Sequence, residues 1–405
     1  MISKPSGRGW VMVLTAALGV TVSFGSVVVF SFGVFLKPLG REFGWTRGQV
    51  SLAFSLAALS VAACSPLLGR LVDRVGARRV ILVCVSVYGL AFSSLALLRG
   101  ALWRLYAAYI VIGVVGNGTT QLSYSKVITA WFDRRRGLAL ALMMAGVGCG
   151  AIVVPPATAW LIGSAGWRGA YLVLGGAILL IGLAPAALFL RERPPGGRAE
   201  VRAADSPAAE GGTPRQAVRT RALWETLAAF FLFSASVNGS ITHLVPMLTD
   251  RGIAIGAAAF AVSVLGAATL GGRLLTGALL DRYFGGRVAA ALFAVAACGV
   301  LVAGRAHSVA AAYCGAGLIG LGMGAEADVL PYLISRYFGL RSFSELFGYV
   351  FSAYAIAGAL GPWLMGRAFD RFHSYATALP VLGAAMFLSA LLMFLLPPYE
   401  SVKRV

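Results

Sequence analysis

Long apolar runs dominate this sequence, in which roughly twelve stretches of about 20 residues contain almost no charged side chains. A run of this length crosses the hydrocarbon core of a bilayer as an α-helix, which pairs its backbone N–H and C=O groups internally. Hydrophobic residues make up 59% of the chain and charged residues 12%. Soluble domains do not have that balance. We therefore expect an all-α membrane protein.

The expected helices form two groups of about six, separated by a polar segment. The first group covers residues 10–36, 48–70, 78–98, 105–130, 137–163 and 170–190, and the second covers residues 222–247, 256–280, 287–304, 309–334, 344–366 and 375–396. The intervening segment is rich in Arg, Pro, Gly and Ala, which is typical of a flexible linker. We expect an N-terminal half at 1–190, a cytoplasmic linker at 191–220 and a C-terminal half at 221–405.

The net charge of +19 reflects 34 basic and 15 acidic residues. In a soluble protein this excess would suggest a nucleic-acid partner, but here the basic residues concentrate in the loops and tails of one side. This pattern predicts a multi-pass protein of the plasma membrane, or of the inner membrane in a bacterium, with both termini in the cytoplasm and no nucleic-acid partner. No metal-ligand spacing, nucleotide-binding loop or enzyme motif is present, so we expect neither a cofactor nor an enzyme.

Two short motifs recur at equivalent places in the two halves. GRLVDRVGARR at residues 69–79 follows the second expected helix, and GALLDRYFGGR at 277–287 follows the eighth. Both contain G-x-x-x-D-R, a short spacer, then Gly and Arg. The recurrence indicates two structurally related six-helix halves.

The first motif resembles the G-x-x-x-D-R-x-G-x-R-R signature of the major facilitator superfamily. The resemblance covers the whole chain and implies twelve transmembrane helices in two six-helix halves related by a pseudo-two-fold axis. It also implies that the motif's charges latch the halves together on the cytoplasmic side in the outward-facing state. The residues given this gating role by the resemblance are Gly69, Asp73, Arg74, Gly76, Arg78, Asp281 and Arg282.

A narrower resemblance is carried by residues 32–56 and 150–171, which are similar to bacterial monocarboxylate porters, relatives of the oxalate:formate antiporters. That branch binds the substrate carboxylate with one arginine of the eighth helix, and Arg273 occupies this position. Animal members carry a lysine in the first helix, where this chain has Phe30. The antiporters carry a lysine in the eleventh helix, whereas residues 344–366 contain no basic residue.

The chemistry of Arg273 agrees with that role. An arginine near mid-membrane costs roughly 2.5–3.5 kcal/mol on insertion scales and therefore faces a partner or a water-filled cavity. A guanidinium can grip a carboxylate with two parallel hydrogen bonds. The alternative is a structural ion pair with an acid of a neighbouring helix, and one arginine can serve both purposes in different states.

Two carboxylates lie deep in the tenth expected helix, Glu326 and Asp328, at a depth similar to that of Arg273. Two residues apart, they project about 200° apart on a helix, so only one of them readily faces a central cavity. Asp328 shares a stripe with Tyr332, which favours Asp328 as the cavity residue. Either acid could carry a proton, and either could instead form a fixed ion pair or interhelical hydrogen bond.

Further polar residues fall inside other expected helices. Asn117, Gln121 and Tyr124 have the i, i+4, i+7 spacing of one helix face, which suits either a substrate path or contact between helices. The seventh expected helix contains two more polar residues. Asn238 could contact the substrate, and His243 could carry protons or simply form hydrogen bonds. The candidate substrate-binding residues are Arg273, Asn117, Gln121, Tyr124, Asn238 and Tyr332, and the candidate proton-coupling residues are Asp328, Glu326 and His243.

Together these features predict a monomeric secondary transporter that moves a small organic acid, a monocarboxylate, together with protons by alternating access. One alternative is a drug/proton antiporter in which Arg273 is structural, and another is a non-transporting membrane sensor on the same fold. A site with a single fixed cation neutralises one carboxylate and leaves a second one unpaired, so we expect monocarboxylates to be preferred.

Overall fold

The structure is a computed structural model that describes residues 7–132, 136–192, 214–338 and 343–399. Over these ranges the chain is helical and contains no β-strand. The helices before the linker are α1 (Gly7–Thr21), α2 (Phe24–Phe43), α3 (Arg47–Val75), α4 (Ala77–Ser94), α5 (Leu102–Gly116), α6 (Gln121–Trp131), α7 (Arg136–Ala177) and α8 (Ala184–Phe189). Those after it are α9 (Pro214–Ala217), α10 (Arg221–Asp250), α11 (Ile255–Leu280), α12 (Gly285–Gly304), α13 (Val309–Phe338), α14 (Phe343–Phe372) and α15 (Ala378–Phe394).

Nine helical stretches of the described residues are long and apolar enough to cross a membrane. Two of them run for 35 and 52 residues, whereas one crossing needs about 20. Large apolar side chains also point outward, among them Leu180 at 72% and Leu274 at 79% exposure, as expected where helices face lipid. The prediction of an all-α, multi-pass membrane protein is confirmed, and the count of twelve spans stays a prediction.

The first expected helix, 10–36, is not continuous. The break lies between α1 and α2, where Ser23 has an extended backbone with φ −72° and ψ 171°. At the break, side-chain hydroxyl groups form hydrogen bonds with backbone groups that have lost their helical partners. Ser26 Oγ donates to the Val20 carbonyl at 2.7 Å, and the Phe24 N–H donates to Thr119 Oγ1 at 3.1 Å. Such substitution of partners allows a broken helix within a bilayer.

The fourth expected helix, 105–130, is broken as well. After α5 the chain forms a 3₁₀ turn at Asn117–Thr119, and Thr120 is extended at φ −83° and ψ 175° before α6 begins. Thr119 Oγ1 donates to the Gly116 carbonyl at 2.6 Å and accepts from Phe24 of the other break. The two breaks are therefore joined by one hydroxyl group.

The fifth and sixth expected helices, 137–163 and 170–190, form one helical run whose boundary is Gly166. Its φ of 71° and ψ of 171° are not helical, and a positive φ of this kind is accessible mainly to glycine. A π-helical turn at Ile178–Leu183 joins α7 to α8. The two expected spans are thus separated by a sharp kink at Gly166, and no loop lies between them.

The described residues divide into two compact units, one within Met1–Arg198 and Ala254–Ser263 and the other within Ala199–Ile253 and Val264–Val405. The first unit has a buried apolar core in which the rings of Phe35 and Tyr171 stack at 3.9 Å between centroids. In the second unit the rings of Phe233 and Phe293 stack at 4.0 Å. The boundaries at residues 190 and 221 stay a prediction.

Candidate functional site

The approach of α11 to α13 in the second unit depends on small residues. A methyl group at Gly324 of α13 would collide with the Thr269 carbonyl oxygen of α11 and would lie 2.8 Å from the Arg273 backbone nitrogen. A methyl group at Gly272 would collide with the Leu321 carbonyl oxygen, whereas one at Gly271 would meet nothing within 4 Å. Close helix contact through glycine is common in membrane proteins. Here it brings the backbone of α13 against α11 beside Arg273.

This approach places Asp328, one turn beyond Gly324, opposite Arg273. The distance from Arg273 Nη2 to Asp328 Oδ1 is 3.6 Å, and the two side chains are 30% and 35% exposed. At this distance the two groups attract each other electrostatically but do not form a direct hydrogen bond. The guanidinium N–H groups therefore keep the capacity to bind an incoming carboxylate. Of the two acids considered from the sequence, Asp328 is the one that faces Arg273.

Glu326 occupies a different environment on the same helix. It is 5% exposed, and its Oε1 is buried without a hydrogen-bond partner among the described residues. Tyr354 of α14 lies within electrostatic range of its carboxyl group. Burying an ionised carboxylate without a partner is costly. A neutral, protonated Glu326 avoids most of that cost.

Asn238 of α10 belongs to a polar cluster on the α14 side. Its Nδ2 donates to the Ser234 carbonyl at 3.0 Å, and Ser234 Oγ donates to the Tyr354 carbonyl at 2.8 Å. Asn238 Nδ2 also donates to Ser234 Oγ at 3.3 Å. Neither Ser234 nor Tyr354 was predicted from the sequence. The signal that could have found Ser234 is its i−4 spacing from Asn238 on one helix face.

His243 is completely buried, and both of its ring nitrogens have partners. Nε2 lies 2.9 Å from the Pro362 carbonyl oxygen and Nδ1 lies 2.9 Å from the Tyr375 hydroxyl. A carbonyl can only accept, so Nε2 carries the proton, and in the neutral ring Nδ1 accepts from Tyr375. The arrangement suits a neutral histidine that ties α10 to α14. Its proposed role in proton transfer stays a prediction.

Tyr332 points away from Arg273. Its hydroxyl donates to the Leu280 carbonyl at 3.3 Å, at the last residue of α11. Leu280 lies seven residues beyond Arg273, which corresponds to roughly 10 Å along a helix. The described hydrogen bond of Tyr332 is therefore to the end of α11, about two turns from Arg273, and a substrate contact by Tyr332 stays a prediction.

The polar stripe expected from Asn117, Gln121 and Tyr124 is wrong, because the helix breaks between the first two. Asn117 is buried and its Nδ2 donates to Ser65 Oγ of α3 at 2.6 Å. Gln121 is exposed, whereas Tyr124 is buried against Gly19 of α1. The three side chains thus have three different environments in the first unit. A substrate contact by any of them stays a prediction.

The motif residues lie where helices end. Gly69 and Arg74 are in the last turns of α3, and exposed Asp281 and Arg282 follow α11. The side chain of Asp73 lies outside the described part of the structure. Gly76, at φ 98°, connects α3 to α4. Arg78 Nη2 donates to the Ala187 carbonyl at 2.8 Å, so the motif is anchored to α8.

Among the residues that the structure describes, no group of three or more His, Cys, Asp or Glu could hold a metal ion. Arg273 supplies a partly exposed cation, Asp328 supplies its counter-charge, and Glu326 supplies a buried acid.

Comparison with known proteins gives one family. The family model of the Major Facilitator Superfamily matches residues 14–362. The chain is 27% identical over 404 residues to monocarboxylate transporter 11 of Mus musculus, covering 93% of this chain and 86% of that protein. It is 25% identical over 347 residues to the uncharacterized MFS-type transporter YhjX of Escherichia coli strain K12, covering 85% of each. These matches confirm the resemblance seen in the motifs.

The fold is also similar to that of solved structures. A bacterial homolog of the human lysosomal transporter Spinster, in an inward-facing and unoccupied conformation, matches with a TM-score of 0.70 and 16% identity. The match covers 97% of this chain and 95% of that chain. At this identity it supports the fold and no more.

Proposed function

Because this chain belongs to the Major Facilitator Superfamily and is therefore a membrane transporter, we propose that it carries small monocarboxylates together with protons by alternating access. The relatives named monocarboxylate transporters support the substrate class. The observation that carries the proposal is the partly exposed Arg273, held near Asp328 at 3.6 Å and free of a direct hydrogen bond to it. A guanidinium in this state is ready to bind a carboxylate.

Asp328 would couple the substrate to the proton. In the empty carrier, Asp328 offsets the charge of Arg273, which limits the cost of placing a cation within the membrane. When a proton binds to the Asp328 carboxylate, that counter-charge disappears and the guanidinium is free to bind the substrate anion. The site then holds Arg273, a neutral acid and one anion. Its net charge equals that of the empty site, so transport does not move net charge across the bilayer.

Glu326 is the alternative coupling acid. It is buried and lacks a partner for one oxygen among the described residues, which supports a protonated state. It lies on the side of Tyr354, however, and forms no ion pair with Arg273 in the described structure. Protonation of Glu326 would therefore not release Arg273 directly, and we favour Asp328.

The proposal is tested by replacing Arg273 with lysine, which keeps the positive charge and removes the planar fork. Loss of one charge-assisted hydrogen bond, roughly 1.5–3 kcal/mol, should weaken monocarboxylate binding by about 10- to 150-fold. Binding of a labelled acid to the purified protein measures this directly. The matched control is Arg305→Lys, at an exposed arginine outside the helices. Unchanged affinity in Arg273→Lys would reassign Arg273 to a structural role.

A further inference from the structure

A crevice of about 490 Å³ in the first unit lies where α4 begins and the chain leaves α8. Its lining contains three arginines, one carboxylate and one apolar side chain: Arg78, Arg79, Arg191, Glu192 and Val75. We call it the arginine crevice. None of the roles proposed above uses Arg79, Arg191 or Glu192.

The Glu192 carboxylate binds the backbone at the start of α4. Its Oε1 accepts from the Arg78 N–H at 2.7 Å, in the first turn of α4. Its carboxylate also occupies the space that a side chain at Gly76 would need. A carboxylate at a helix N-terminus satisfies free N–H groups and complements the helix dipole. Glu192 therefore shapes the crevice and forms no ion pair with its arginines among the described residues.

The guanidinium groups have unused hydrogen-bonding capacity. Arg78 Nη2 donates to the Ala187 carbonyl at 2.8 Å, but its Nε is buried and has no partner in the described structure. The side chains of Arg79 and Arg191 are exposed, and no hydrogen bond or ion pair holds either one within the described ranges. The lining thus carries three positive charges and one negative charge, with most of its donors unused.

The helix ends around the arginine crevice indicate its position relative to the membrane. One membrane-spanning stretch ends at Val72, another begins at Ala77, and a third ends at Phe189. The crevice therefore lies where apolar helices leave the hydrocarbon core, at the level of lipid headgroups. The Trp131 Nε1 donates to the Arg191 carbonyl at 2.7 Å beside it, and tryptophan is enriched at this level of the membrane.

We propose that the arginine crevice binds the phosphate group of an anionic phospholipid. Guanidinium groups bind phosphate oxygens with paired hydrogen bonds, and basic pockets among transmembrane helices bind anionic headgroups. Arg79 and Arg191 supply the exposed donors, and Arg78 supplies a partly buried one. The lipid would connect the start of α4 to the end of α8, the same two elements that Arg78 already joins.

The test is a titration of the purified full-length protein in detergent, followed by native mass spectrometry. Its arms contain phosphatidylglycerol, phosphatidylcholine or inorganic phosphate. Phosphatidylglycerol should bind more tightly than phosphatidylcholine. In the double variant Arg79→Gln, Arg191→Gln, its affinity should fall by roughly fivefold for each arginine removed. Both side chains are exposed and unpaired in the described structure, so the melting temperature of the lipid-free variant should match that of the unaltered protein.

The matched control is Arg99→Gln, Arg104→Gln, which removes the same charge from exposed arginines beyond the opposite end of α4. It should retain full phosphatidylglycerol affinity. Equal loss in the control, or equal binding of the two lipids, would show a general charge effect and overturn the proposal. Displacement of phosphatidylglycerol by an equal concentration of inorganic phosphate would overturn the lipid assignment and identify a small-anion site.

Discussion

Asp328 and Glu326 differ by two positions on α13, and their surroundings assign them different tasks. Asp328 lies 3.6 Å from Arg273 and its side chain is 35% exposed, whereas Glu326 is 5% exposed and lies within electrostatic range of Tyr354. Only Asp328 can control the availability of the guanidinium through direct charge compensation. The sequence favoured Asp328 as the cavity residue but left the coupling acid open, because that choice depends on which face of α13 meets α11.

Neutralising each acid separately tests this assignment. Asp328→Asn should abolish accumulation driven by a pH gradient and keep counterflow exchange, because exchange of bound anion needs no net proton movement. Glu326→Gln is the matched control on the same helix, and it should retain gradient-driven accumulation because glutamine resembles the protonated acid. Both activities are measured with labelled substrate in proteoliposomes. Loss of accumulation only in Glu326→Gln would transfer the coupling role to Glu326.

At the scale of the helices, the site depends on how closely α13 approaches α11. Gly324→Ala places a methyl group against the Thr269 carbonyl oxygen, and overpacking of this kind costs roughly 1–3 kcal/mol. The helices should separate and draw Asp328 away from Arg273. We expect a lower melting temperature and reduced uptake by the purified protein.

Gly271→Ala is the control for that change, because a methyl group there meets nothing within 4 Å. It adds the same group to α11 two residues from Arg273 and should leave the melting temperature and uptake unchanged. If the two alanine variants behave alike, close approach at Gly324 does not hold the site together.

The sequence predicted the elements better than their interruptions. Hydropathy located the apolar runs, and the repeated motifs indicated two related halves. The breaks at Ser23 and Thr120 leave no mark in hydropathy, because they depend on hydroxyl groups that replace lost backbone hydrogen bonds, and one of these hydroxyls, that of Thr119, lies far along the chain from the group it binds. The polar stripe through Asn117 failed for this reason. Glu192 was missed because its role depends on the spatial proximity of the α4 N-terminus, which no local pattern reveals.

At the scale of the whole molecule, the scarcity of membrane cations predicts substrate charge. Phe30, at the place where the resemblance implies a lysine, is 5% exposed, and residues 344–366 contain no basic residue. A dicarboxylate would leave one charge unpaired in a medium of low dielectric constant. Lactate should therefore compete with a labelled monocarboxylate more strongly than oxalate does. Stronger competition by oxalate would indicate a second cation at the site.

The central claim is that Arg273 binds a monocarboxylate whose entry is coupled to a proton without net charge transfer. The most direct measurement is uptake of a labelled monocarboxylate into proteoliposomes under an inward pH gradient, acidic outside, with the membrane potential clamped at zero. The unaltered protein should accumulate the acid above equilibrium, Arg273→Gln should not, and a membrane potential alone should drive little uptake. Accumulation that persists in Arg273→Gln, or that follows the membrane potential and ignores the pH gradient, would contradict the account.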